Sequence, residues 1–213
     1  MSQRDRGNGF LLGLTVFLSA GAALALEIVA ARMMAPVVGM SLYTWTAVIA
    51  VVLAGLSIGH WVAGRLYMDT SIAGRGDAVI AGSLALAGAT TIVAALLRWV
   101  ASDIVDGLGG VGVASIIVLA TLMFFTPSFF AGIVAPAATT LALSDDGVDR
   151  GRVIGRMFAL GAAGSILGTL LAGYVLLSLV GSFKSLLLIA SVYFLMAIAH
   201  WATRAKLLAE VRR

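Results

Sequence analysis

Six apolar runs, each about as long as a lipid bilayer is thick, constrain this chain more than any other feature. A membrane-spanning helix needs roughly 20 consecutive apolar residues, because each residue advances the helix by about 1.5 Å. In chain order the runs are Phe10 to about Ala35, Leu42 to Gly64, Ala78 to Leu97, Val111 to Leu143, Val153 to Val180 and Ser185 to Trp201. They predict an all-α integral membrane protein, with a six-helix transmembrane domain over residues 1–202 and a basic cytoplasmic tail over residues 203–213.

Composition excludes several classes of protein. Hydrophobic residues make up 61% of the chain and charged residues only 11%, which is too apolar for a soluble enzyme domain or a disordered segment. Cysteine is absent, so disulfides, thiolate metal sites and cysteine nucleophiles are excluded. Because no phosphate-binding, hydrolase or zinc motif occurs, we expect neither catalysis nor a cofactor or metal. The basic residues are scattered at the ends of apolar runs, which argues against a nucleic-acid partner.

The positions of lysine and arginine predict the orientation in the membrane, because these residues favour the cytoplasmic side. With the N-terminus inside, the three basic residues of the outer segments are Arg32, Arg98 and Lys184. The inner segments hold the other eleven of the 14: Arg4, Arg6, Arg65, Arg75, Arg150, Arg152, Arg156, Arg204, Lys206, Arg212 and Arg213. We therefore expect both termini in the cytoplasm, in a bacterial-type inner membrane, and the tail as a short basic helix on the anionic leaflet.

Two of the long runs, the first and the fourth, carry further signals. The first continues past Ala23-Leu24-Ala25, which is similar to a signal-peptide cleavage site, so we expect an uncleaved helix. The fourth contains Pro127 and Pro136. We expect a tilted, proline-kinked helix there, or a span with an interfacial extension.

An internal similarity relates the second run to the fifth. Residues 54–59 and 63–64 align with residues 163–168 and 172–173 at one constant offset, and the shared residues are alanines and glycines. Since the predicted orientation sends these two spans in opposite directions, the similarity predicts two inverted three-helix repeats, as in many secondary transporters. Glycine-rich spans also look alike by chance. Under either interpretation four glycines mark close helix contacts or hinges: Gly55, Gly59, Gly164 and Gly168.

Glu27 is the one acidic residue deep inside an apolar run. A carboxylate in the membrane is expensive and usually faces a partner or a water-filled cavity. Glu27 is therefore a candidate for coupling transport to protons or for binding a cationic solute. A structural hydrogen bond to another helix is the alternative.

Four further residues are candidates to line or gate a path through the membrane. Arg32 follows Glu27 by five residues and does not share its helix face. His60 suits a proton relay, although a lone histidine in a membrane span is more often a packed, hydrogen-bonding group. Tyr43 and Trp45 open the second span, where aromatic residues are usually interface anchors but also suit a cation-binding wall.

Charged residues in the inner loops predict a second feature. Arg65 with Asp69, and Arg152 with Arg156, are each spaced four apart and so share a helix face. Pairing between the two groups would form a cytoplasmic gate. Topology signalling and helix-terminus charges explain the same residues without a gate.

Several motifs resemble the membrane region of the spermidine-synthase-like proteins. The motifs are ALEIVAARMMAP at 25–36, SLYTWT at 41–46, LSIGHW at 56–61, GR at 64–65 and 155–156, and GSILGT at 164–169. In that family a helical bundle related to the major facilitator superfamily is often fused to a polyamine-synthase-type domain. The resemblance implies a six-helix, half-facilitator bundle. We expect the fused domain to be missing here, so synthase activity is not implied.

These features together predict a secondary-transporter-like protein that couples the movement of a small solute to protons. The solute is expected to be cationic if it binds to a carboxylate directly. One half-facilitator bundle encloses only half a cavity, so we expect a homodimer. An alternative is a membrane anchor or docking partner for a separately encoded synthase-like enzyme. A small scaffold without transport is the third interpretation.

Overall fold

The computed structural model describes residues 3–66, 76–144 and 149–211, with side chains from Gly9 to Ala205 within those ranges. They form helices and no strand. Seven helices follow one another: α1 Gln3–Val38, α2 Leu42–Leu66, α3 Gly76–Leu97, α4 Ala101–Gly107, α5 Val113–Ala142, α6 Arg150–Leu179 and α7 Gly181–Val211. All except the short α4 are long and apolar enough to cross a membrane. The predicted all-α, six-span membrane protein is therefore confirmed.

Local sequence sets the turns between helices. Gly39 adopts a φ of +77°, and its N–H donates to the carbonyl of Ala35 at 2.9 Å, which ends α1. Ser41 then caps α2, because its Oγ accepts from the Thr44 N–H at 3.2 Å. The turn is so short that α1 and α2 run in opposite directions. Asp149 caps α6 in the same way, with its Oδ1 accepting from the Arg152 N–H at 3.2 Å.

The six long helices alternate in direction, so the bundle has two ends. The amino-terminal end contains the starts of α1, α3 and α6 and the last turns of α2, α5 and α7. The opposite end contains the α1–α2 turn, α4 and the start of α7, where the Arg98 guanidinium lies 5.1 Å from the centre of the Phe183 ring. These two names are used below.

Three helix pairs dominate the packing: α1 with α6, α2 with α5, and α3 with α7. The helix α1 also contacts α5 and α7, and α5 also contacts α3, so α1 and α5 lie at the centre of the bundle. Their buried side chains, which include Leu26, Val29, Leu119 and Phe124, form much of the core. The helix α6 is the least covered, with only 17% of its apolar stretch buried against 56% for α1.

Glycines bring the backbones of two of these pairs together. In α2, a Cβ at Gly55 would lie 2.7 Å from the Phe125 carbonyl of α5, and one at Gly59 would overlap the Phe129 carbonyl. In α6, a Cβ at Gly164 or Gly168 would overlap the carbonyls of α1 residues four apart, Phe17 and Gly21. The two pairs thus make matching contacts, each with two glycines of one helix on two carbonyls of the other.

The helix α5 changes its winding before the first proline. Residues Thr121–Phe125 form a π-helical segment, and Pro127 follows at the start of the next α-helical stretch. A proline has no N–H, and its ring clashes with the carbonyl four residues earlier, here Met123 inside the π segment. The wider segment relieves that clash. A second π segment, Ala172–Leu176, lies in α6.

The last helix extends beyond the predicted boundary of the membrane domain. The helix α7 continues without a break from Gly181 to Val211. The predicted start of the tail at residue 203 therefore falls inside a continuous helix.

Candidate functional site

A cleft of about 710 Å³ lies between α1, α2, α5 and α6. Its walls include Val16, His60, Pro136, Thr139 and Met157. The lining is mostly apolar, and His60 is the titratable residue in it. His60 is exposed at this surface and lies in the last two turns of α2, so the cleft is close to the amino-terminal end.

Glu27 is not among the residues that line this cleft, but it lies on the same face of α1 as Val16, which does. It follows Val16 by eleven residues, which is about three helical turns, so the two side chains share a helix face. The same geometry places Glu27 about 16 Å closer to the opposite end than Val16. Glu27 is half-buried, and its Oε2 is buried with no hydrogen-bond partner among the described residues.

An unpaired, buried carboxylate oxygen is expensive. Leaving a buried charged acceptor without a partner costs more than the roughly 1–3 kcal/mol of a neutral group. The neighbours of Glu27 along α1 offer nothing to relieve this, because Leu26, Val29 and Ala30 are buried and apolar. What relieves the cost chemically is a proton on the carboxylate, or a cationic or hydrogen-bond-donating group beside it.

The structure places the predicted path residues at three levels along the helices. Arg32 and Tyr43 are exposed near the α1–α2 turn, and Trp45 packs partly against the core close by. His60 lies near the other end of α2, about 27 Å along the helix from Leu42. Glu27 is at an intermediate depth, so these five residues do not form one cluster.

The predicted gate arginines have other contacts. The Arg65 guanidinium lies 3.8 Å from the centre of the Trp61 ring, a cation–π contact within one helix. Arg156 Nη2 lies 3.9 Å from the position of a Cβ at Gly13, so this arginine packs on α1. Within residues 3–66, 76–144 and 149–211 no ion pair joins Arg65, Arg152 or Arg156 to an acid. Asp69 lies outside the described residues, so the predicted Arg65–Asp69 contact is not described.

The structure contains one polar cluster that was not predicted from the sequence. His200 is fully buried, and its ring nitrogens lie 3.1 Å from Asp77 Oδ1 and 2.8 Å from Thr15 Oγ1. The available signal was that Thr15 and His200 interrupt apolar runs and Asp77 directly precedes one, all near the same end of an alternating bundle. In the described ranges, no group of three histidine, cysteine, aspartate or glutamate residues is placed to hold a metal ion.

Comparison of this chain with protein-family models, with curated proteins and with solved structures finds no match. The resemblance to the membrane region of spermidine-synthase-like proteins therefore stays a prediction.

Proposed function

We propose that this protein is a secondary transporter that couples the movement of a small solute to protons, with Glu27 as the coupling or binding carboxylate. The observation that carries the proposal is the buried, unpaired Oε2 of Glu27, on the face of α1 that also borders the cleft. A carboxylate kept at this depth without a structural partner is best explained by a group that binds and leaves. A proton meets that description, and so does a cationic solute.

The proposed architecture is two inverted three-helix repeats, α1 to α3 and α5 to α7. In this repeat α1 corresponds to α5, α2 to α6 and α3 to α7, so the α2–α5 pair corresponds to the α6–α1 pair. These two pairs make the matching glycine–carbonyl contacts. We propose that the four glycines Gly55, Gly59, Gly164 and Gly168 act as hinges, and that Pro127 and Pro136 shape α5. The excess of lysine and arginine at the amino-terminal end supports cytoplasmic termini in a bacterial-type inner membrane.

The proposed assembly is a homodimer, in which two copies of the cleft face each other. The helix α6 borders the cleft, yet it is the least covered helix of the bundle. It exposes large apolar side chains along its length, among them Phe158 and Ile166. A second copy packed against this helix would convert an open cleft into an enclosed cavity.

Other residues receive supporting roles in this proposal. Arg32, Tyr43, Trp45 and His60 line or gate the path on either side of Glu27. Arg65, Asp69, Arg152 and Arg156 form the gate at the amino-terminal end, where Arg156 already bridges α6 and α1.

A solute screen in sealed liposomes tests the proposed function. The purified protein is reconstituted with a pH-sensitive dye in the lumen, and polyamines, amino acids and cationic drugs are added in turn. At least one solute is expected to change the lumenal pH only in liposomes that contain the protein. If no solute in a broad panel moves protons or accumulates, the transporter proposal is wrong and the anchor or scaffold interpretations gain. Mass measurement in detergent tests the homodimer separately, and a monomer at all concentrations would contradict it.

A further inference from the structure

A buried polar cluster at the junction of α1, α3 and α7 has no role in the function proposed above. Each helix contributes one residue, and we name the set the Thr15–His200–Asp77 cluster. His200 and Thr15 are 0% exposed, whereas the Asp77 side chain is 14% exposed and lies in the first turn of α3. The cluster is therefore inside the protein but reaches its surface through Asp77.

Counting hydrogens at the cluster limits the state of the imidazole. An ionised carboxylate only accepts hydrogen bonds, so when Asp77 is ionised, His200 Nδ1 carries a hydrogen and donates it to Asp77 Oδ1. The Thr15 hydroxyl has one hydrogen and two acceptors within reach, which are the Leu11 carbonyl at 2.8 Å and His200 Nε2 at 2.8 Å. Each of these two acceptors for the Thr15 hydroxyl corresponds to one charge state of His200.

Both directions leave the cluster satisfied. If the Thr15 hydroxyl donates to the Leu11 carbonyl, Nε2 must carry a hydrogen and donate it to Thr15 Oγ1, so His200 is an imidazolium paired with Asp77. If the hydroxyl instead donates to Nε2, His200 is neutral. The Leu11 carbonyl then keeps its helical hydrogen bond from the Thr15 N–H. The two states differ by one proton, taken from or returned to water, and by rotation of one hydroxyl.

The surroundings of the cluster leave Asp77 as its counter-ion. From α7, Met196 Sδ lies 3.9 Å from Thr15 Oγ1, and Arg204 follows His200 by one helical turn. From α6, Arg156 packs against α1 at Gly13, two residues before Thr15. Asp77 is the acid that faces His200 from α3. A buried imidazolium needs such a partner, because an unpaired charge away from water is strongly disfavoured.

We propose that the Thr15–His200–Asp77 cluster is a proton-binding site that fastens α7 to α1 and α3 when it is charged. In the charged state two charge-assisted hydrogen bonds join the three helices, and these are roughly twice as strong as neutral ones. In the neutral state the contact between Nε2 and Thr15 is an ordinary hydrogen bond. The inference does not depend on Glu27 or on any transported solute.

The chain itself supplies a clean spectroscopic test, because it has only two histidines. The His60→Gln variant leaves His200 as the sole imidazole, and its ¹⁵N signals are followed in lipid from about pH 5 to about pH 9. We expect Nδ1 to stay protonated throughout, while Nε2 gains its hydrogen as the pH falls. A neutral tautomer with hydrogen on Nε2, or a single protonation state over the whole range, would overturn the proposal.

Matched variants assign the effect to the cluster. In a His60→Gln background, Thr15→Ser keeps the hydroxyl and is expected to keep the titration. Thr15→Val leaves Nε2–H without an acceptor and is expected to lower the proton affinity of His200 about tenfold. Thr90→Val is the control, since the Thr90 hydroxyl bonds only to carbonyls of its own helix. Equal titration in the Thr15→Val and Thr90→Val variants would contradict the proposed role of the hydroxyl.

The same spectra separate this site from the transporter proposal. Glu27→Gln is expected to leave the His200 titration unchanged. If the protein moves no solute but His200 titrates, the transporter proposal fails and the proton site is retained. If the protein moves solute but His200 does not titrate, the proton-site proposal fails.

Discussion

Replacing Gly59 by alanine tests the closest contact between α2 and α5 that a glycine makes. A Cβ at this position would overlap the main-chain carbonyl of Phe129 and lie 3.0 Å from the Cα of Gly132, both in α5. Neither atom can move without the helix that carries it, so α2 and α5 must separate. The matched control is Gly64→Ala, five residues later in the same helix, where a Cβ meets nothing within 4 Å.

The expected magnitude follows from two opposing terms. A helix displaced by roughly 0.5–1 Å loses about a quarter to a half of the dispersion energy at the contact, and overpacking of this kind costs about 1–3 kcal/mol. Alanine recovers about 0.5–1 kcal/mol because it favours a helix over glycine. Gly59→Ala is thus expected to destabilise the protein by about 1–2 kcal/mol. Gly64→Ala meets no such contact and is expected only to gain the roughly 0.5–1 kcal/mol by which alanine favours a helix over glycine.

Reversible unfolding in mixed detergent micelles, followed by circular dichroism, measures both variants against the parent. A free-energy difference of 1 kcal/mol corresponds to about 2–4 °C in Tm for a domain of this size, so the two variants should differ by about 4–10 °C. If Gly59→Ala unfolds at the same temperature as Gly64→Ala or above it, the two backbones are not in contact at this glycine.

Three further predictions concern other parts of the fold. Gly168→Ala, which would overlap the Gly21 carbonyl, should lower Tm, whereas Gly155→Ala in the same helix has open space and should not; equal effects would contradict the α1–α6 contact. Asp149→Ala removes the cap of α6 and should cost about 1 kcal/mol in the same unfolding assay, while Asp149→Asn should retain most of the stability. Phe124→Ala empties a fully buried site at the centre of the bundle and should cost about 3–5 kcal/mol, so a loss below 1 kcal/mol would mean that this side chain is not packed.

The helices could be predicted from the sequence because a bilayer demands long apolar runs, whatever their neighbours. The turn from α1 to α2 also carries a local signal, since Gly39 and Ser41 bond to residues only three or four positions away. The π segment before Pro127 could not be predicted, because a proline indicates that the helix is disturbed but not whether it kinks or widens. The short helix α4, between the third and fourth spans, carries no strong signal of its own.

The candidate site could be predicted only in part, because some of its contacts join helices that are distant in the sequence. Glu27 is conspicuous in any apolar run, and its depth follows from the helix rise. The cluster around His200 depends on three helices that are distant in sequence, with Asp77 123 residues before His200. Sequence spacing within one helix cannot show such a contact, so only the packing of α3 and α7 reveals it.

Proton movement by the Glu27→Gln variant shows whether Glu27 couples solute transport to protons. In liposomes with a lumenal pH dye, the parent protein is given a solute that it transports, and the solute and proton fluxes are measured together. Asp106→Asn, which neutralises an exposed carboxylate on α4, is the matched control and should behave as the parent. We expect Glu27→Gln to lose the solute-driven proton flux at equal protein insertion. A Glu27→Gln variant that moves solute and protons in the parent's ratio and at the parent's rate would contradict it.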